Sequence, residues 1–263
     1  MFELLLIGCG KMGNAILEGT LASGRFRAES IAVVEQNREI TERIAREHPE
    51  VSLLDKPADA ALCVVAVKPF AVPEVLQSLA GLRVGTVVSI AAGVKIATLE
   101  ANLAPGIPVV RSIPNTPGQI GMGITAIATG SNVTLETAEK ATQVLEALGE
   151  VVAVPEAQID AITAISGSGP AYVYYFIEAM VDAAVELGLA APLASRLAVS
   201  TFKGAAELLE RRDNDTRLLR LEVSSPGGTT IAATNTFDRL GMRAAIVAGI
   251  RACFDKSVEL GLK

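Results

Sequence analysis

The 263-residue chain is predicted to fold as an α/β domain, built on a mostly parallel doubly wound sheet, followed by an all-α domain. Three observations carry this expectation. Short apolar runs alternate with helical patterns as far as Pro155, the signature of repeated β-α-β units. From Glu156 onward the strand signals stop and helical patterns take over. The first apolar run leads straight into Gly8-Cys9-Gly10-Lys11-Met12-Gly13, a glycine turn that opens a helix.

The elements follow in order. Phe2 to Ile7 is a short apolar run ending in glycines, as a fully buried strand requires. Asn14 to Ser23 is a helix, and Ile31 to Glu35 a second strand. Arg38 to His48 is a helix closed by Pro49. Leu62 to Val67 is a third strand, stopped by Lys68-Pro69, because proline has no N–H to continue the ladder. Val72 to Leu79 is a helix and Thr86 to Ile90 a fourth strand. Val109 to Ser112, Ile124 to Ala128 and Val151 to Val154 are later strands, with a helix at Glu136 to Leu148. The second half carries helices at Glu156 to Ile165, Ala171 to Gly188, Pro192 to Arg212, Thr229 to Leu240 and Arg243 to Gly261. Gly188, Asp213-Asn214-Asp215 and Gly241 supply the breaks. The boundary is placed near Pro155, dividing the chain into residues 1–155 and 156–263. No Gly/Ser-rich linker marks it.

Composition removes several function classes. Lys+Arg is 23 against Asp+Glu 29, a formal charge of −6, so a nucleic-acid-wrapping role is not expected. A single histidine excludes any mechanism needing two. Cys9, Cys63 and Cys253 are odd in number and form no C-x-x-C, which speaks against a disulfide framework or a thiolate zinc site and fits a reducing compartment. The N-terminus lacks the basic segment of a signal peptide, and no apolar run reaches the ~20 residues of a membrane helix. A soluble, cytoplasmic protein without a metal is expected.

The glycine turn has the spacing of a dinucleotide fingerprint, of the Rossmann type. Gly8 permits the tight turn, Gly10 lets backbone approach a pyrophosphate, and Gly13 lets the helix pack closely on the strand. The helix N-terminus then presents free N–H groups and partial positive charge to phosphates. Glu35 ends the second strand, where a carboxylate suits the ribose of NAD. Asn37 and Arg38 follow and could hold a 2′-phosphate if Glu35 turns away. NADH and NADPH therefore both stand. Val67, Lys68 and Pro69 fall at the carboxyl end of the third strand, the ligand edge of such sheets. Lys68 is either a surface lysine or a partner of cofactor phosphates. Ala91, Ala92 and Gly93 either leave room for a nicotinamide ribose or form a compact turn.

Two Ser/Gly/Pro clusters interrupt the helices, Ser166 to Tyr172 and Ser224 to Thr230. Capping alone accounts equally well for the first. The second exposes consecutive backbone amides at Gly227-Gly228 and adds Thr229-Thr230 hydroxyls at a helix start, a cradle for a carboxylate. Tyr172, Tyr174 and Tyr175, all the tyrosines of the chain, are expected in a helix core or subunit interface.

With these motifs in this order, and with Ser89-Ile90-Ala91-Ala92-Gly93-Val94 and Asn115-Thr116-Pro117 between them, the sequence resembles the pyrroline-5-carboxylate reductases over nearly its whole length. The resemblance implies an N-terminal dinucleotide-binding Rossmann domain and a helical substrate-binding and dimerisation domain, assembled as a homodimer or a larger ring of dimers. It implies NADPH or NADH as cofactor, and reduction of 1-pyrroline-5-carboxylate to L-proline, the last step of proline biosynthesis. Cofactor contacts are implied at Gly8, Cys9, Gly10, Lys11, Met12, Gly13, Val67, Lys68, Pro69, Ala91, Ala92, Gly93 and Asn115. Substrate contacts are implied at Ser225, Gly227, Gly228, Thr229 and Thr230, with Thr230 matching the threonine suggested to hydrogen-bond the ring nitrogen. Glu35-Gln36-Asn37-Arg38 falls where members vary. Imine reduction also suits the inventory. A protonated imine accepts hydride without a strong base, so the protein must bind, orient and exclude water. The one histidine, His48, falls at a helix end far from the substrate motifs and carries no expected role. The 3-hydroxyacid dehydrogenases share this layout, but their lysine position, four after Gly169, holds Val173 here. A nucleotide sensor without turnover would not need the Ser225 to Thr230 loop.

Overall fold

The computed structural model describes residues 1–213 and 215–261. Asn214, one residue of the expected break, lies outside the described residues. Eight strands form one sheet: β1 (Phe2–Ile7), β2 (Ile31–Val34), β3 (Ser52–Leu54), β4 (Ala60–Val65), β5 (Val84–Ser89), β6 (Val109–Ile113), β7 (Gly123–Thr129) and β8 (Gly149–Ala153). Their order is β3-β2-β1-β4-β5-β6-β7-β8, with every neighbouring pair parallel except β6 and β7. The chain winds outward from β1 in one direction and from β4 in the other. The topological switch therefore lies between β1 and β4, and the crevice beyond their carboxyl ends is the ligand position of this architecture.

Strand periodicity explains the two-sided core. Leu4 and Leu6 of β1 face one layer with Ile16 and Leu17 of α1 (Lys11–Ser23), Ile44 of α2 (Arg38–Glu47) and Leu145 of α5 (Leu135–Leu145). Leu5 and Ile7 face the other, with Leu76 of α3 (Val72–Gln77) and Leu99 of α4 (Ile96–Ala101). Each fully buried side chain of this kind contributes about 1.5–3 kcal/mol, and both faces of β1 are filled this way. That is why β1 reads as a continuous apolar run instead of an alternating one.

Three elements went unread in the sequence. β3 is three residues on the sheet edge, α4 six residues, and α9 (Thr216–Glu222) seven, begun by the Asp215 carboxylate accepting the Leu218 N–H. All are too short to show a period. The expected helix at Glu156 to Ile165 is broken: α6 (Ile159–Ile162) runs into a π-helical turn at Thr163–Gly167, in which the Ser168 N–H donates to the Thr163 carbonyl. β4 ends at Val65, two residues before the expected Val67.

The chain divides into two compact units, Met1–Ser168 together with the segment from Phe254 onward, and Gly169–Cys253. Residues 156–168 thus pack within the sheet unit. The second unit holds α7 (Gly169–Glu186), α8 (Ala191–Glu210), α9, α10 (Thr229–Arg239) and most of α11 (Met242–Leu260). Among its described residues only Ala194 and Ala198 are buried. Val173, Tyr174, Tyr175, Leu197 and Val247 are exposed. Exposed apolar surface on this scale marks an interaction face. No helix among the described residues is long and apolar enough to cross a membrane.

Candidate dinucleotide site and substrate loop

The three glycines of the turn are glycine for different reasons. Gly8 has φ +88°, and a Cβ there would lie 2.8 Å from the Ala66 carbonyl oxygen and 2.9 Å from Val67 Cγ1. A Cβ on Gly13 would overlap the Gly8 carbonyl oxygen. These two are demanded by the protein itself. A Cβ on Gly10 would meet nothing within 4 Å. Gly10 is the N-cap of α1 with no side-chain cap, so the helix starts with backbone amides facing open space. A pyrophosphate suits this cradle, being an anion that needs close backbone approach. Beside the turn a cavity of about 430 Å³ is lined by Cys9, Gly10, Lys11, Asn14 and Arg43, among others. A larger groove of about 560 Å³ behind α1 touches none of the candidate residues.

Glu35 does not turn away from the turn. Its Oε2 accepts the Cys9 N–H at 2.6 Å, and its Oε1 accepts the Gln36 and Asn37 N–H groups, both at 2.8 Å. Asn37 caps α2, its Oδ1 accepting from Glu39 and Ile40. Arg38 projects into solvent and pairs with Glu42 at 2.7 Å. The structure thus brings Gly8, Cys9, Glu35 and Val67 together. Lys68 and Pro69 are exposed at the end of β4, with Phe70 next to them 86% exposed. Ala91 is buried, Ala92 exposed, and Gly93 has φ +78°. Asn115 is engaged at both ends: its Oδ1 accepts the Ile124 N–H at 3.1 Å and its Nδ2 donates to the Ser166 carbonyl at 3.2 Å. It ties the end of β6 to β7 and to the π-helical turn.

The five substrate candidates all fall in the second unit. The Gly228 N–H donates to the Ser225 carbonyl at 2.9 Å, closing a turn with Pro226 at its second position and Gly227, φ +67°, at its third. That is type II turn chemistry. Gly228 is the N-cap of α10, again without a side-chain cap, so the amides after it open the helix. Thr229 is exposed and Thr230 half-buried in its first turn.

The remaining reactive groups are accounted for. Burial pushes the Cys9 thiol up to about 12, with Arg43 opposing, and burial alone does the same to Cys63. Neither is a thiolate at neutral pH. His48 Nε2 lies 2.8 Å from Glu18 Oε1, tying the end of α2 to α1. Arg111, Glu156 and Asp160 were missed as a group. Arg111 is nearly fully buried in β6 and pairs with Glu156 at 3.0 Å. The available signal was an arginine inside an apolar strand.

Residues 156–260 match the family described as pyrroline-5-carboxylate reductase dimerisation. Residues 3–93 match the family described as NADP oxidoreductase, coenzyme F420-dependent. A pyrroline-5-carboxylate reductase of Corynebacterium melassecola is 37% identical over 269 residues, covering 99% of both chains. The enzyme of that name from Synechocystis is 38% identical, with the same coverage. Among solved structures, a pyrroline-5-carboxylate reductase from Coxiella burnetii superposes with a TM-score of 0.90 at 30% identity, covering 98% of each chain. The Plasmodium falciparum pyrroline carboxylate reductase with NADP bound gives 0.85 at 25% identity, covering 99% of this chain and 98% of that one. With an uncapped glycine turn opening a helix in one unit, a bare-backbone loop in the other and full-length identity well above 30%, the chain belongs to the pyrroline-5-carboxylate reductase family.

Proposed function

We propose that this protein reduces 1-pyrroline-5-carboxylate to L-proline with NADPH or NADH, closing proline biosynthesis. The observation that carries the reading is 37% identity to a pyrroline-5-carboxylate reductase over 99% of both chains. The nicotinamide cofactor, when bound, supplies the hydride that adds to the imine carbon. The chain's part is to bind and orient. Gly8 to Gly13 and the first amides of α1 hold the pyrophosphate. Glu35 would meet the adenosine ribose, with Asn37 and Arg38 beside it as the residues for a 2′-phosphate. Val67, Lys68 and Pro69 would lie along the strand edge, and Ala91, Ala92, Gly93 and Asn115 would serve the nicotinamide side. Ser225, Gly227, Gly228 and Thr229 cradle the substrate carboxylate. The Thr230 hydroxyl oxygen would accept the N–H of the protonated ring nitrogen, holding the proton there while the carbon is reduced. Orientation of this kind supplies much of the acceleration in a reaction between two bound partners.

The functional division is taken as residues 1–155 for the dinucleotide and 156–263 for substrate binding and dimerisation, with residues 156–168 and the segment from Phe254 onward packed in the sheet unit. The exposed apolar faces of α7 and α8 support a homodimer, with a ring of dimers as the larger assembly and the cytoplasm as its place. The test follows oxidation of the reduced cofactor on adding the imine, with proline identified as product. Cofactor binding without turnover would leave a sensor of the same fold.

A further inference from the structure

We infer that buried Arg111 and the last turn of α11 together hold the Ala91–Gly93 segment in place, which makes Arg111 a positioning residue for the nicotinamide side of the site. The inference rests on the proposed role of Ala91, Ala92 and Gly93 as cofactor contacts.

Arg111 sits in β6 between buried Val110 and Ser112, its side chain only 3% exposed. A guanidinium so placed needs partners, since an unpaired buried charge is strongly destabilising. It has two. Nη1 donates to Glu156 Oε1 at 3.0 Å, and Nη2 lies 4.0 Å from Asp160 Oδ1. Its Nε is buried without a hydrogen-bond partner, so its contacts run through the two terminal nitrogens.

Each carboxylate passes the constraint on. Glu156 Oε1 also accepts the Ile96 N–H at 2.7 Å, at the start of α4 and just beyond Gly93. Asp160 Oδ1 accepts the Ser257 hydroxyl at 2.7 Å, and Ser257 is the one buried residue of α11 among those described. One turn further, Leu260 is the neighbour on the side where a Gly93 side chain would stand, its Cβ 3.6 Å from that position, an ordinary packing distance. A Cβ on Gly261 would lie 3.4 Å from the Gly93 carbonyl oxygen. The segment is therefore flanked at Gly93 by the helix end and held at Ile96 by Glu156, and both routes lead back to one guanidinium. An apolar residue would fill the strand position with comparable packing. What the charge adds is a fixed direction for two carboxylates that reach the same short segment from different elements.

The experiment uses the full chain with Ser257→Ala and, as the conservative change at the hub, Arg111→Lys. Amide hydrogen exchange of residues 91–96 is read in the free protein. Affinity for NADPH and NADH is read by fluorescence titration. In both variants exchange at 91–96 rises about tenfold over that of β4 and β5. Cofactor affinity falls about fivefold in both, while KM for the imine stays within about twofold. Unchanged exchange at 91–96 overturns the grip. A uniform rise across the sheet overturns it too, leaving a general stabilising role. Faster exchange with unaltered cofactor affinity overturns the positioning role. Ala92→Glu, in an otherwise unchanged chain, tests the underlying reading separately: undiminished cofactor affinity there removes the segment from the cofactor site while leaving the exchange result standing.

Discussion

The Glu35 carboxylate accepts the Cys9 backbone N–H at 2.6 Å, so the end of β2 is bonded directly to the glycine turn that follows β1. With the Gln36 and Asn37 amides on its other oxygen, Glu35 is held by three backbone donors. Hydrogen bonds to a charged acceptor are the stronger kind, about 1.5–3 kcal/mol each, so this carboxylate is a fixed negative charge beside the proposed ribose position.

Glu35→Gln keeps the shape and removes the charge. A 2′-phosphate no longer meets like charge, so the ratio of kcat/KM for NADPH over NADH rises about fivefold or more, roughly 1 kcal/mol. The paired steady-state measurement checks it. A ratio that stays put removes Glu35 from cofactor discrimination.

Gly10 and Gly13 separate under substitution. Gly10→Val leaves the melting temperature within about 2 °C, because its side chain enters open space, but weakens cofactor binding about tenfold or more. Gly13→Ala drives a methyl into the Gly8 carbonyl and lowers the melting temperature by several degrees, roughly 1–3 kcal/mol of overpacking. Thermal melts and cofactor titration on the same two proteins distinguish the cases.

In the proposed substrate loop, Thr230→Val lowers kcat about tenfold or more while cofactor affinity survives. Gly228→Val acts differently. A Cβ there would overlap the Ser225 hydroxyl and lie 3.0 Å from the Ser225 carbonyl oxygen, so the side chain crowds the turn. The expected result is a raised KM for the imine with the cofactor KM unmoved, read from initial rates.

The buried thiols set an alkaline limit. Cys9 and Cys63 are held near 12 in the folded chain, against an ordinary value near 9. Above about 9 the unfolded chain loses these protons and the folded chain keeps them, so stability declines as pH rises from about 9 toward 12. Denaturant midpoints should fall across that window. Cys9→Ala/Cys63→Ala should flatten the decline, and an equal slope in that variant would exclude the thiols as its source.

Much of the sheet unit was legible because its signals are local. β1 is apolar on both faces, and its glycine turn must be glycine at positions the backbone dictates, so both β1 and the start of α1 show in a dozen consecutive letters. The short elements β3, α4 and α9 were not legible, since three to seven residues span too little of a period to exceed noise. The π-helical turn at Thr163–Gly167 interrupts a stretch whose letters still read as one helix.

By itself the sequence determined the succession of the longer strands and helices, the glycine turn after β1 and the Ser225 to Thr230 loop, because hydrophobic period and glycine conformation act between near neighbours. The tertiary structure alone decided that β7 runs against β6, that Glu35 faces the turn instead of solvent, and that Ser257 meets Asp160 across 97 residues of chain beside Arg111. Charges and hydrogen-bond partners are chosen by proximity in space, and proximity between distant segments exists only once the sheet has brought them together.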